Sequence, residues 1–439
     1  MAKFSVSSFI IFCLLFFAAT SHFRQVSAID DNIGAPDANN ATAPDVNGGE
    51  QDDCPHSIVI SVDEFGAKAD GTPDNEAFEK AWEEACSSDE GVAVVVPEQK
   101  TYRLKPIRFN GPCKSSISIE IYGTIEASDD PSDYDQDLKH WIVFDKVENL
   151  LVEGGGTLKG NGKIWWDNSC KKNKDKALTF NENKNLVVND LKIQDSQKMH
   201  LSFDSCENVQ AYNLVVTAPE DSPNTDGIHI TGTKNILVAD TTVGTGDDCV
   251  SIVSGSENVQ IRNIVCGPGH GISIGSLGKG NSEAHVSKVI VDGATISETT
   301  NGLRIKTWQG GSGSAEDIIF QNVQMNDVKN PIIIDQNYCD QDSPCEEQDS
   351  AVQVKNVAYK NIFGTSKTKV AIMFDCSKSH PCEGITMENV KLDGQGNEAA
   401  TATCNNVQAT TLGDVSPACQ QSNNFMSWFL GKLYGDNKH

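Results

Sequence analysis

Beyond Ala19 the sequence has no apolar run approaching the roughly 20 residues needed to cross a bilayer. That excludes a chain held in a membrane by several helical spans. Basic residues are also scarce: 35 Lys and Arg stand against 61 Asp and Glu, a formal charge of −26. Such acidity argues against nucleic acid or an anionic membrane surface as a partner. Amphipathic helix is nearly missing. The one convincing stretch is EAFEKAWEEAC after Pro73-Asp74-Asn75, which puts Phe78, Ala81, Trp82 and Ala85 on one face. A helical solenoid is therefore excluded, and the leucine spacing of leucine-rich repeats is absent as well.

The apolar run that is present, Phe4 to Ala19, follows Lys3 and leads to the small-residue ending Val26-Ser27-Ala28. This is the layout of a secretory signal peptide over residues 1–28, cleaved after Ala28. Its removal takes away Lys3, Arg24 and Cys13, so the acid excess grows and the 14 cysteines become an odd number. So many cysteines behind a signal peptide predict several disulfides and a secreted, extracellular protein. Residues 29–55 are acidic and rich in Gly, Asn and Pro, which predicts a flexible tail or pro-segment. The sequon Asn40-Ala41-Thr42 lies there, making Asn40 the candidate glycosylation site. Residues 421–439 read as a short C-terminal tail.

Between these ends one unit recurs: Lys or Glu, then Asn, then alternating apolar residues. It appears as ENLLVEG from Glu148, KNLVVNDLKI from Lys184, ENVQAYNLVV from Glu207, KNILVADTTV from Lys234 and ENVQIRNIVC from Glu257. Looser copies start at Ser287, Glu316, Lys355 and Glu383. A period of roughly 23 to 30 residues, carried by short alternating strands, predicts stacked β-coils. The expected fold is all-β, a single-stranded right-handed parallel β-helix of about ten coils, forming one domain over residues 56–420. The N-terminal helix should cap its open end, where strand edges lie bare. Longer intervals before Lys184 and Lys355 predict loops.

A second set of short strands lies downstream of the repeats and lines up: DGIHIT from Asp226, DCVSIV from Asp248, HGISIG from His270, NGLRIK from Asn301 and NPIIID from Asn330. The first three begin 22 residues apart. Ile228/Ile230, Val250/Ile252, Ile272/Ile274, Leu303/Ile305 and Ile332/Ile334 should face the core, so His229, Ser251, Ser273, Arg304 and Lys306 face outward. Strict alternation turns Asp226, Asp248 and His270 inward. Their place at the strand starts, beside Gly or Asp, also allows a turn to bring them out. Adjacent coils stack roughly 4.8 Å apart, which gathers these residues into a column with the adjacent pair Asp247-Asp248 at its centre. Adjacent carboxylates repel unless a site needs them. Glycoside hydrolysis needs such crowding: one carboxyl protonates the leaving oxygen while another, ionised, activates water or attacks. Nearby cations suit a substrate that is itself a carboxylate.

At these residues the chain resembles the plant polygalacturonases, pectinases of glycoside hydrolase family 28. The motifs are SPNTDG from Ser222, GDDC from Gly246, GPGHGISIGSLG from Gly267 and RIK from Arg304. Over Phe65 to Cys419 it looks most like the ripening-type, endo-acting members, sharing KTWQGGSG from Lys306 and PIIIDQNYC from Pro331. The resemblance implies inverting hydrolysis of homogalacturonan without metal or other cofactor. Asp247 would be the general acid, Asp226 and Asp248 the water-holding pair, and His270 a tuner of Asp247. Arg304, Lys306, Tyr338 and Asn224 would bind substrate. An inverting pair is ordinarily set about 6.5–9.5 Å apart. Pectin in the cell wall, cell-wall inhibitor proteins and a monomeric state are the expected partners and form.

Two rival readings exist: an enzyme acting on the mixed rhamnose–galacturonate backbone, disfavoured by Arg304, Lys306 and His270 through the resemblance, and a catalytically silent pectin-binding or structural solenoid, disfavoured by the three aspartates. The resemblance and short spacings favour the disulfides Cys86–Cys113, Cys249–Cys266, Cys339–Cys345, Cys376–Cys382 and Cys404–Cys419. Cys54, Cys170 and Cys206 remain unassigned. Relatives carry a second cysteine shortly after the position of Cys170, which is missing here, so Cys170 is expected to be free or weakly paired.

Overall fold

A computed structural model describes residues 58–134, 140–167, 176–341, 343, 345–397 and 399–419. The expected signal peptide, the expected acidic tail with Asn40, Cys54, Cys170 and the C-terminal residues 421–439 lie outside the described residues.

The chain winds as a right-handed parallel β-helix. One face is an 11-stranded parallel sheet, one strand per coil, a count close to that expected from the repeats. The remaining strands form an 18-stranded sheet that covers the other sides. In the N-terminal coils this second sheet is carried by separate short strands, such as Glu207–Tyr212 and Val215–Thr217. From Lys234–Gly244 onward single long strands pair with both sets. The interval before Lys355 contains a loop closed by the Cys339–Cys345 disulfide.

Alternation explains the core. Along the 11-stranded sheet one inward column runs Phe109, Phe144, Phe180, Phe203, Ile230, Ile252, Ile274, Ile305, Ile334 and Phe374, coil upon coil. The phenylalanines stack, with centroids 5.3 Å apart for Phe144–Phe180 and 5.6 Å for Phe180–Phe203. At the N-terminal end the helix Asn75–Ser87 buries Phe78, Ala81, Trp82 and Ala85. Trp82 packs on Phe109 and Phe144, and its Nε1 donates to the Asn110 carbonyl at 3.1 Å. Cys86–Cys113 pins the end of the helix to the first coils.

The repeated Lys/Glu-Asn pair has a structural cause beyond alternation. Asn149, Asn185, Asn208, Asn235 and Asn258 all take the left-handed conformation, with φ between 53° and 59°. Asparagine tolerates that region better than most residues. Their amides form a ladder: Asn185 donates to Asn149 at 3.0 Å, Asn208 to Asn185 at 3.1 Å, Asn235 to Asn208 at 3.1 Å and Asn258 to Asn235 at 2.9 Å. Beside it the preceding residues alternate in charge from coil to coil, Glu148, Lys184, Glu207, Lys234 and Glu257. Each corner thus satisfies its amide in the next coil and avoids facing like charges.

This corner predicts an order of stabilities. Asn235→Ala loses the ladder bonds and strains the left-handed backbone, costing about 2 kcal/mol. Asn235→Gly loses the same bonds without the strain and should cost about 1 kcal/mol. Urea unfolding measures both, and glycine faring no better than alanine would refute the conformational account.

Candidate active site

The site lies on the outer face of the 11-stranded sheet, where loops lead into the strands Ile228–Thr231, Val250–Ile252, Ile272–Leu277 and Asn301–Trp308. Regular alternation begins only at Ile228 and Val250, so it does not extend back to Asp226 or Asp248. Both carboxylates turn outward and meet outward-facing side chains. Two glycines make the turns possible. A side chain on Gly246 would fall 1.9 Å from the Ser222 carbonyl, and one on Gly271 would fall 2.1 Å from the Asn301 carbonyl, where φ is also +82°. The segment before Asp226 is braced by Ser222 Oγ, which donates to the Pro219 carbonyl at 2.6 Å, and by Thr225 Oγ1, which accepts from the Gly246 amide at 3.1 Å. Behind it, the buried His200 ring meets the Asp226 carbonyl at 3.1 Å, and burial drives its pKa down to about 4.

Asp248 is the most deeply held of the three carboxylates, its side chain 2% exposed. Arg304 Nη2 donates to Oδ1 at 2.6 Å, Lys306 Nζ to Oδ2 at 2.9 Å and Ser273 Oγ to Oδ1 at 2.7 Å. Arg304 Nε also donates to Ser273 Oγ at 3.0 Å. Burial alone would raise this carboxyl, but the two cations outweigh it and hold the pKa below the ordinary carboxylate value. Asp226, one coil away, takes a 2.7 Å hydrogen bond from Ser251 Oγ. Burial first, then the charges of Asp247 and Asp248, push its pKa up to about 7. Asp247 is the more open carboxylate, its side chain 18% exposed. It accepts from the Asp248 amide at 2.8 Å and lies 3.0 Å from His270 Nδ1; Asn224 Nδ2 approaches at 3.4 Å. The hydrogen bond to Asp247 raises the His270 pKa, against burial.

The structure therefore brings Asp226, Asp247, Asp248, His270, Asn224, Arg304 and Lys306 together. Tyr338 joins them on the far side, its ring 5.6 Å from Lys306 Nζ and edge-on to Trp308 at 5.3 Å; burial pushes its phenol up to about 12. Ser251 and Ser273 belong to the site although sequence reasoning left them as outward positions without a role. Their parity with Arg304 was the available signal. Asp247, Asp248 and His270 each offer an atom within 4.8 Å of the others, a spacing a metal ion could span. Arg304 and Lys306 already neutralise Asp248, so a divalent cation there would meet two positive charges at close range. Cys249–Cys266, both buried, ties the residue after Asp248 to the opposite sheet. The other disulfides are Cys376–Cys382 and Cys404–Cys419, and Cys206 is a free, buried thiol.

Crowded carboxylates on one sheet face, one clamped by cations and one with its pKa raised toward neutrality, are the machinery of a glycoside hydrolase built on a β-helix. The chain belongs to glycosyl hydrolases family 28, whose profile matches residues 86–419. It is 61% identical over 356 residues to a polygalacturonase of Persea americana, covering 79% of this chain and 77% of that one. A polygalacturonase of Malus domestica is 59% identical over 370 residues, covering 82% and 79%. Among solved structures, the endo-xylogalacturonan hydrolase of Aspergillus tubingensis shares the fold, with a TM-score of 0.70 at 23% identity over 82% of this chain and all of that one.

The Asp247–His270 contact predicts a titration. His270 should hold its proton above the ordinary histidine range, and Asp247→Asn should bring the value back down. The contact's contribution to stability is fully present below the ordinary histidine pKa and fades as pH rises through the raised one. Ring-proton NMR of the two proteins measures this, and an unmoved His270 titration in Asp247→Asn would remove Asp247 as the cause.

Proposed function

We propose that this chain is a secreted, endo-acting polygalacturonase that hydrolyses the α-1,4-galacturonosidic bonds of pectic homogalacturonan with inversion. The observation that carries this reading is the clamp of Asp248 by Arg304 and Lys306 beside Asp226 and Asp247. It places positive charge at the centre of an acidic protein, where a polyuronate must be held. A guanidinium offers five N–H groups and an ammonium three, more than Asp248 and Ser273 use, so the pair can also take a substrate carboxylate. Family membership and the plant relatives named polygalacturonase support the same substrate.

In this mechanism Asp247, the most exposed of the three carboxyls, protonates the leaving glycosidic oxygen. Asp248 and Asp226 hold and deprotonate the attacking water. Burial, with the charges of Asp247 and Asp248, favours the proton on Asp226. Coupled carboxyls titrate as a set, however, and the acid's proton belongs to the cluster rather than to one residue. His270 steadies Asp247 after the proton leaves, and Tyr338 with Asn224 flanks the sugar.

A second reading has one observation in its favour. One oxygen of Asp247 and one of Asp248 lie within 4.8 Å of each other, a crowding that also suits retaining enzymes, whose carboxyl groups stand closer together than those of inverting ones. Retention would make Asp248 a nucleophile. Both of its oxygens are bound to cations, which weakens that role, and inversion through a water held by Asp226 and Asp248 remains the reading adopted.

Purified protein should lower the viscosity of polygalacturonate well before many reducing ends appear, the mark of internal cleavage. Proton NMR of the first product should show the β-anomer; an initial α-anomer would establish retention. Asp247→Asn should lose at least about a hundredfold in rate, and a near-normal rate would remove Asp247 as the acid. Expressed in a secreting plant cell, the full chain should reach the medium lacking residues 1–28; retention inside the cell with Met1 intact would overturn secretion.

A further inference from the structure

Asp248 and Asp226 occupy equivalent places on successive coils, and each takes a serine hydroxyl from the next coil: Ser273 Oγ to Asp248 and Ser251 Oγ to Asp226, both at 2.7 Å. There the equivalence ends. Asp248 is also bound by Arg304 and Lys306, so its serine is one donor among three. Asp226, 8% exposed, leans on Ser251, itself 2% exposed.

Ser251 does not stand alone. His229 Nδ1 lies 2.8 Å from its Oγ, and Thr231 Oγ1 lies 3.3 Å from His229 Nε2. The proton positions follow from the valences. Ser251 has one hydrogen, given to the Asp226 carboxylate, so its oxygen must accept from His229 Nδ1–H. His229 Nε2 then faces the Thr231 hydroxyl. The His229 Nδ1–H and the Ser251 hydroxyl both point toward Asp226, and such aligned donors strengthen one another.

We propose that Ser251, backed by His229, is a positioning residue for Asp226, and that this pair of donors favours the ionised carboxylate and aims it at the attacking water. This rests on the reading of Asp226 as a partner of that water. The surroundings make the donor matter. Asp247 and Asp248 repel charge on Asp226, with Lys306 the cation acting against them, and burial disfavours the ionised form further. On the other flank His229 stands in register with Ser202, and Thr231 with Asp204, which brings one more carboxylate near Thr231.

The sign of the effect is set. A base must be ionised, so its activity is lost as pH falls through its pKa. Loss of a donor raises that pKa, and the acid limb of the rate profile moves to higher pH. In Ser251→Ala, kcat on polygalacturonate should fall about tenfold or more, as loss of a hydrogen bond to a charged group does. KM should change little, and the acid limb should shift upward by about one unit. His229→Ala should shift it in the same direction by less. His229→Asn, whose amide nitrogen can take the place of Nδ1, should restore most of the loss. A carbon-NMR titration of the Asp226 carboxyl in Ser251→Ala gives the same pKa without any turnover, and Ser251→Thr serves as the hydroxyl-bearing variant if the alanine protein folds poorly.

An acid limb and an Asp226 titration that do not move in Ser251→Ala, or a His229→Asn no better than His229→Ala, would overturn the proposal. A fully active Asp226→Asn would instead overturn the role of Asp226 on which it rests, while the carboxyl titration still reports on the pair of donors itself.

Discussion

Parallel coils stacked about 4.8 Å apart, hydrogen-bonded in register, are the constraint on which everything else in this molecule depends. A side chain on one coil has its counterpart directly above and below. Whatever is placed at one position must tolerate a column of its own kind, or alternate with something compatible. Phenylalanines and isoleucines satisfy this by stacking. Asparagines satisfy it by passing amide hydrogen bonds from coil to coil, and glutamate and lysine by taking turns. The repeat in the sequence is the record of these three solutions.

The same stacking turns residues far apart in sequence into a site. Asp226 and Asp248 are chemically identical and one coil apart, yet their protons behave oppositely. Arg304 and Lys306 come from the second coil beyond Asp248 and reach back to it, leaving Asp226 to burial and to the repulsion of its neighbours. One carboxylate is held on the ionised side by its cations and the other is poised. An overall charge of −26 does not oppose this, because the two cations act at hydrogen-bond range while the acid residues are spread over the whole surface.

Much of this was legible before any coordinates. The period, the capping helix and the alignment of the five short strands follow from local patterns of apolar residues, and the crowding of Asp247 and Asp248 was visible as a dipeptide. Other features were not. The left-handed conformation of Asn149 and its successors is hidden inside what reads as ordinary alternation. The outward serines looked like surface. The direction of Asp226 and Asp248 was open, because alternation holds within a strand and both stand just before one begins.

The sequence by itself determined that this chain coils into a solenoid, which residues point to its core and which ionisable groups share one face. Those facts depend on neighbours two to four residues apart or on a period repeated many times. Only the tertiary structure decided which carboxylate receives the cations and which receives a serine. Asp248 and Arg304 are 56 residues apart, and their meeting depends on the register in which the intervening coils pair and on the rotamers that close packing leaves open.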